Sequence, residues 1–79
     1  MRMNDSNLSA RQIFARNIRL ARKVLGMSQE DMAEASGLHR TYVGDVERGE
    51  RNISIDNMEK MAKAVKRSLA ELVLEIDLN

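Results

Sequence analysis

The chain has 79 residues, 43% apolar and 32% charged, without cysteine, proline or tryptophan; that length bounds it to one small domain of globular composition. The formal charge of +1 hides a gradient, since residues 1–25 carry +5, residues 26–67 carry −1 and residues 68–79 carry −3, so opposite ends suit different partners. Lack of cysteine excludes disulfides, thiolate metal sites and cysteine nucleophiles, and the single His39 cannot hold a metal without several carboxylates beside it.

Residues 1–7 read as a flexible N-terminal arm, and residues 8–79 as one domain. Ser9 is placed to cap a first helix, with Gln12 completing a capping box and Leu8 facing Ile13 as a hydrophobic staple. Phe14, Ile18, Ala21 and Leu25 follow at helical spacing until Gly26 ends the run. Ser28 caps a second helix, with Asp31 at its third position and Met27 stapled to Met32. Gly37 stops that helix after about nine residues. A third runs from near Leu38 to Gly49. Ser54 opens a fourth, stapled by Ile53 and Met58, with Ile55, Met58, Met61, Ala62 and Val65 as its apolar face. Ser68 and Glu71 make a last capping box, for a fifth helix carrying Leu69, Leu72, Val73 and Ile76. The fold class is all-α: five short helices joined by tight turns. No apolar run approaches the roughly 20 residues of a membrane span, and no signal-peptide pattern opens the chain, so a cytoplasmic protein is expected. A core this small also raises the expectation of self-association.

The informative stretch is MSQEDMAEASGLHRTYVGDVERG, from Met27 to Gly49. Two short helices either side of a glycine turn, with Ala33 and Ala35 where they cross, describe a helix-turn-helix. At about 100° per residue, Arg40, Thr41, Gly44, Asp45 and Arg48 share one arc of the third helix. Val43, Val46 and one side of Tyr42 share the other. One face is thus apolar, and its opposite offers short polar groups and two guanidiniums. Such a helix fits the DNA major groove, where a bidentate Arg–guanine pair is the commonest specific contact. The plainer reading makes Arg40 and Arg48 solvated surface charges.

These residues also carry a resemblance. MSQEDMAEASGLHRTYVGDVERGERNISI resembles the Cro/Xre-type phage-repressor helix-turn-helix family, and HRTYVGDVERGERNIS is similar to the controller proteins of restriction–modification systems. The likeness runs from Phe14 to Val73. Ser28, Gln29, Asp31, Met32 and Ala33 meet the motif of the second helix, and Glu47 and Gly49 the Glu-x-Gly that ends the third. By resemblance, Arg40 and Thr41 read base edges, and Tyr42 touches the operator backbone or a neighbouring base. Asp45, on the same arc, either accepts from a cytosine amino group or repels wrong sites. Gln29 stands at a phosphate-anchoring position, which suits the anion affinity of a helix N-terminus. Arg48, Arg51, Asn52 and Ser54 are expected to position the DNA backbone. Ser54 reads equally as a plain cap, and Asn52 as a loop-closing residue. Arg22 and Glu47 match an ion pair bracing the first helix against the third. Gly44, a glycine inside a helix, signals either a close approach of DNA or a second chain, or simple small-residue packing.

Leu69, Leu72, Val73 and Ile76 form the candidate dimer interface, unless that stripe is consumed by the chain's own core. The expected partners are double-stranded DNA and a second copy of the chain, with RNA polymerase as an optional third; no cofactor, metal or membrane is expected. The resulting expectation is a non-enzymatic, homodimeric transcriptional regulator reading a palindromic operator, of the controller-protein kind. A generic phage-type repressor and an antitoxin-like protein that binds a toxin are the alternatives. Catalysis lacks a nucleophile–base pair, a phosphate loop and metal-ligand spacing.

Overall fold

Serine side chains start four of the helices. In the computed structural model, which describes residues 8–75, the order is α1 Ala10–Val24, α2 Gln29–Ser36, α3 Arg40–Glu47, α4 Ile55–Ala64 and α5 Leu69–Leu72. Ser9 Oγ accepts the Gln12 N–H at 3.1 Å, and Gln12 Oε1 accepts the Ser9 N–H at 2.9 Å. The same reciprocal pair opens α2 with Ser28 and Asp31, and α5 with Ser68 and Glu71. Ser54 caps α4 by accepting the Asn57 N–H at 3.1 Å. Only α3 begins without a side-chain cap, with extended His39 at its N-cap.

Gly26, Gly37 and Gly49 turn the chain at positive φ after α1, α2 and α3. After α4 the same task falls to Lys66, at φ 61°. The Arg67 N–H then reaches the Ala62 carbonyl at 3.0 Å and the Lys66 N–H the Lys63 carbonyl at 3.1 Å. This is the bonding of a glycine-type helix ending, made with a side chain that left-handed backbone disfavours by roughly 1–2 kcal/mol.

Phe14 and Ile18 of α1, Met32 of α2, Val43 and Val46 of α3, and Met61 and Val65 at the end of α4 are almost wholly buried together. Leu72 closes this cluster from α5. With a single Phe and no Trp, unbranched methionines fill space that aromatics would otherwise take. α2 packs across α3 and α4, while α1 packs on α3 and α5. The back of α3 therefore lies in the core and its front faces outward.

Three elements depart from the spacing. The third helix starts at Arg40 instead of near Leu38, because the Leu38 N–H bonds back to the Ala33 carbonyl at 3.1 Å within the Gly37 turn. It ends at Glu47, before Gly49. Ile55, predicted on the apolar face of α4, is 69% exposed; it stands at the rim, and Ile53 packs against the core in its place. The fifth helix is one turn long and does not carry Val73. Asn17 Nδ2 donates to the Leu72 and Leu74 carbonyls at 3.0 and 2.9 Å, tying the chain after α5 to α1. Ile76 and the arm at residues 1–7 lie outside the described residues. Among the described residues, no helix is long and apolar enough to cross a membrane.

Candidate nucleic-acid interface

The outward face of α3 is only as precise as its attachment. Arg22 and Glu47 are 8% and 6% exposed, a depth at which a carboxylate needs a full set of partners. It has them. Arg22 Nε donates to Glu47 Oε2 at 2.7 Å and Arg22 Nη2 to Oε1 at 2.9 Å, while Nη1 donates to the Met27 carbonyl at 2.7 Å. Gln29 Nε2 adds a bond to Glu47 Oε1 at 3.1 Å. One buried carboxylate thus ties α1, the start of α2 and the end of α3 together.

Gly44 lies beside these contacts. A Cβ there would lie 3.6 Å from Gln29 Oε1 and 3.3 Å from Arg48 Nη1. Gly44 is buried, not part of the open arc; a side chain there would touch Gln29 at ordinary contact distance and press only on the flexible end of Arg48. Gln29 itself, expected at a phosphate, is engaged through its amide nitrogen with this internal carboxylate.

On the outer side, Arg40 and Thr41 are exposed. Arg40 Nε lies 3.6 Å from Glu30 Oε2, with both side chains mostly in solvent, an arrangement that holds an arginine loosely. Asp45 is different. Its Oδ1 accepts from Arg48 Nη2 at 2.5 Å and its Oδ2 from Arg51 Nη2 at 3.1 Å. Arg48 Nε also donates to Glu50 Oε1 at 3.1 Å. The Arg51 guanidinium sits 4.9 Å over the Tyr42 ring, and Tyr42 Oη accepts from Asn57 Nδ2 at 3.1 Å. The structure therefore brings Tyr42, Asp45, Arg48 and Arg51 into one network, with Arg40 apart beside Glu30. Asn52 and Ser54 are exposed in the loop before α4, and the Ser54 hydroxyl serves as the helix cap.

Of the candidate dimer residues, the described ones, Leu69, Leu72 and Val73, do not share one surface. Leu72 is in the core of its own chain, correcting its place on an open stripe, and Leu69 packs against that core. Val73 and Leu74 are exposed. On α1, Leu20 is partly exposed and Val24 is 72% exposed, and both line a groove with Arg67, Glu71 and Leu72.

Residues 18–72 match the family described as Helix-turn-helix. The control protein C.SmaI of Serratia marcescens is 44% identical over 66 residues, which span 84% of this chain and 79% of that protein. The crystal structure of the restriction-modification controller protein C.AhdI from Aeromonas hydrophila has a TM-score of 0.75 at 45% identity, covering 78% of this chain and 94% of that one. The chain belongs to the helix-turn-helix controller proteins of restriction–modification systems. A further solved member, the C.Esp1396I tetramer in complex with its natural 35 base-pair operator, has a TM-score of 0.75 at 30% identity over 87% of this chain and 100% of that one.

For a controller-family chain, spacing alone missed three things. Asn17 bonds residues 55 and 57 positions away, and nothing local marks it. Asn57 sits in the first turn of α4, and its bond to Tyr42 depends on how that helix meets α3. Leu20 and Val24 did carry a signal: they are spaced i,i+4 on α1, off the face formed by Phe14, Ile18 and Ala21.

Proposed function

We propose that this controller-family chain is a cytoplasmic, sequence-specific transcriptional regulator that binds a two-fold symmetric operator as a homodimer. It regulates its own gene and that of a neighbouring endonuclease, and RNA polymerase enters as the machinery whose access the bound dimer controls. One observation carries the reading: α3 holds Val43, Val46 and Glu47 in the body while presenting Arg40 and Thr41 outward at its N-terminal end. That end is the part of a recognition helix that reaches base edges. Arg40 and Thr41 read bases, with Tyr42 beside them. Gln29, Arg48, Arg51, Asn52 and Ser54 position the phosphate backbone. A dimer of this kind sets two recognition helices about 34 Å apart, one turn of DNA. The role is binding, and no reaction is assigned.

The test is selection from a random-sequence duplex library by the purified chain, followed by footprinting of the enriched duplex. The expected result is a palindromic motif protected over two half-sites. Enrichment of no motif would overturn the proposal.

A further inference from the structure

Asp45 is the acidic residue on the outward arc of α3, and a carboxylate facing DNA is repelled by every phosphate near it. Its surroundings suggest a purpose. Arg48 and Arg51, the two arginines next to it, are both bound to it, one on each oxygen. Arg48 is further engaged by Glu50, and Arg51 is laid over Tyr42. The side chains of Arg48 and Arg51 remain 56% and 46% exposed, whereas that of Asp45 is 23% exposed. The charges of Arg48, Arg51, Asp45 and Glu50 cancel within this cluster. A face built to meet a polyanion is therefore locally neutral before it binds.

We propose that Asp45 is a specificity-determining residue that withholds Arg48 and Arg51 from DNA phosphates until a matching base releases them. The inference rests on the DNA-binding reading above. For either guanidinium to reach a phosphate, it must leave Asp45 or share it. When both leave, the carboxylate stands beside the groove without a counter-charge, and when one leaves it keeps an unpartnered oxygen. A base that presents an amino group there, the N4 of cytosine or the N6 of adenine, supplies the missing donor. At any other base nothing does. Random DNA thus bears the whole cost of freeing the arginines, whereas a matched site recovers part of it. Discrimination arises from suppressed binding to wrong sites as well as from contacts to the right one.

The experiment compares the wild-type chain with Asp45→Asn, Asp45→Glu, Arg51→Gln and the Asp45→Asn/Arg51→Gln double variant. Each is titrated over a range of salt against a random-sequence duplex and against the duplex enriched by the wild-type chain. Asp45→Asn keeps the side-chain shape and removes the charge. It should bind random duplex about tenfold tighter, with a salt slope steeper by one to two units, as expected when one or two further cations meet phosphates. Its gain on the enriched duplex should be smaller, so the ratio between the two falls. Asp45→Glu should return the slope toward wild type. In the Arg51→Gln background the gain from Asp45→Asn should shrink, because one of the restrained cations is gone.

Equal gains on both duplexes, or the same gain with and without Arg51, would reduce Asp45 to a generic repulsive charge and overturn the proposal. So would a loss on the enriched duplex with random binding unmoved, which would make Asp45 a base contact alone. Failure of the wild-type chain to enrich any duplex instead removes the underlying DNA-binding reading, and this inference with it.

Discussion

Arg40 and Arg48 are the two guanidiniums of the α3 region, and their surroundings divide their work. Arg48 is bound by Asp45 and Glu50, whereas Arg40, among the described residues, has only the long contact to exposed Glu30. A guanidinium held this loosely near the helix start is available for a guanine edge at little cost. Arg40→Ala should therefore lose about 1–3 kcal/mol on the enriched duplex and little on random DNA; equal loss in both titrations would make it a phosphate contact. A second prediction concerns the fold alone. Lys66 takes a left-handed conformation that the other helix endings give to glycine. Lys66→Gly should raise stability by about 0.5–1 kcal/mol, the removed backbone penalty being partly offset by a freer unfolded chain. An unchanged or lower urea midpoint would contradict it. Residue roles were unevenly legible. Periodicity placed Asp45 correctly on the outward arc but could not show that its partners include Arg51, which lies beyond the end of α3. Glycine at position 44 was visible as an anomaly, but its neighbours, Arg48 and Gln29 from another helix, were not.

The four serine-capped helix starts were the most legible feature of the sequence, since each such cap is decided within four residues, whereas uncapped α3 was placed two residues too early. Helix ends were less so. At the end of α5, Asn17, distant in sequence, donates to the Leu72 and Leu74 carbonyls, and no local pattern encodes that. The caps also make stability depend on pH. The Asp31 and Glu71 carboxyls are held below the usual carboxylate range, first by the backbone N–H and then by the hydroxyl of Ser28 and Ser68. Their folded values are lower than their unfolded ones, so the charged form favours the folded chain. That contribution is complete above the ordinary carboxylate range and is lost as pH falls through the lowered folded values. Melting temperature should hold near neutrality and decline in acid, with a shallower acid decline for Asp31→Asn/Glu71→Gln. An identical acid profile for that variant would exclude these caps as a source. Between elements, the Arg22–Glu47 brace was legible only through family resemblance, because its members stand 25 residues apart. Arg22→Ala leaves Glu47 buried with Gln29 as its remaining side-chain partner, and about 3–5 kcal/mol should be lost. A double-mutant cycle with Glu47→Gln should show strong coupling; additive losses would mean the pair is only a neighbourly contact.

At the scale of the whole molecule, the charge gradient and the apolar surface point to one arrangement. Net charge falls from +5 over residues 1–25 to −3 over residues 68–79, so a contact made near the acidic α5 end leaves the α3 face to DNA. The sequence placed self-association on a stripe that included Leu72, but Leu72 is spent on the chain's own core. Among the described residues, Val73 and Leu74 after α5 are exposed, as are Leu20, Val24 and Leu25 at the end of α1, with Ile55 apart at the start of α4. Leu20 and Val24 line the groove that Arg67, Glu71 and Leu72 complete. A two-fold contact over this surface buries each apolar group once per chain and so doubles the area removed from water. The two candidate surfaces demand different tests. Leu72→Asp would unfold the monomer and reveal nothing about assembly. Val24→Asp should not, since Val24 is 72% exposed and contributes little to the core. The prediction is that Val24→Asp keeps a melting transition close to that of the wild type at protein concentrations where both are monomeric. At tens of micromolar it should sediment as a monomer while the wild type sediments as a dimer. Its binding to a palindromic duplex should weaken and lose cooperativity, whereas binding to an isolated half-site should be unchanged, because α3 lies away from the substitution. A Val24→Asp chain that still sediments as a dimer would move the interface off α1 and onto Val73 and Leu74.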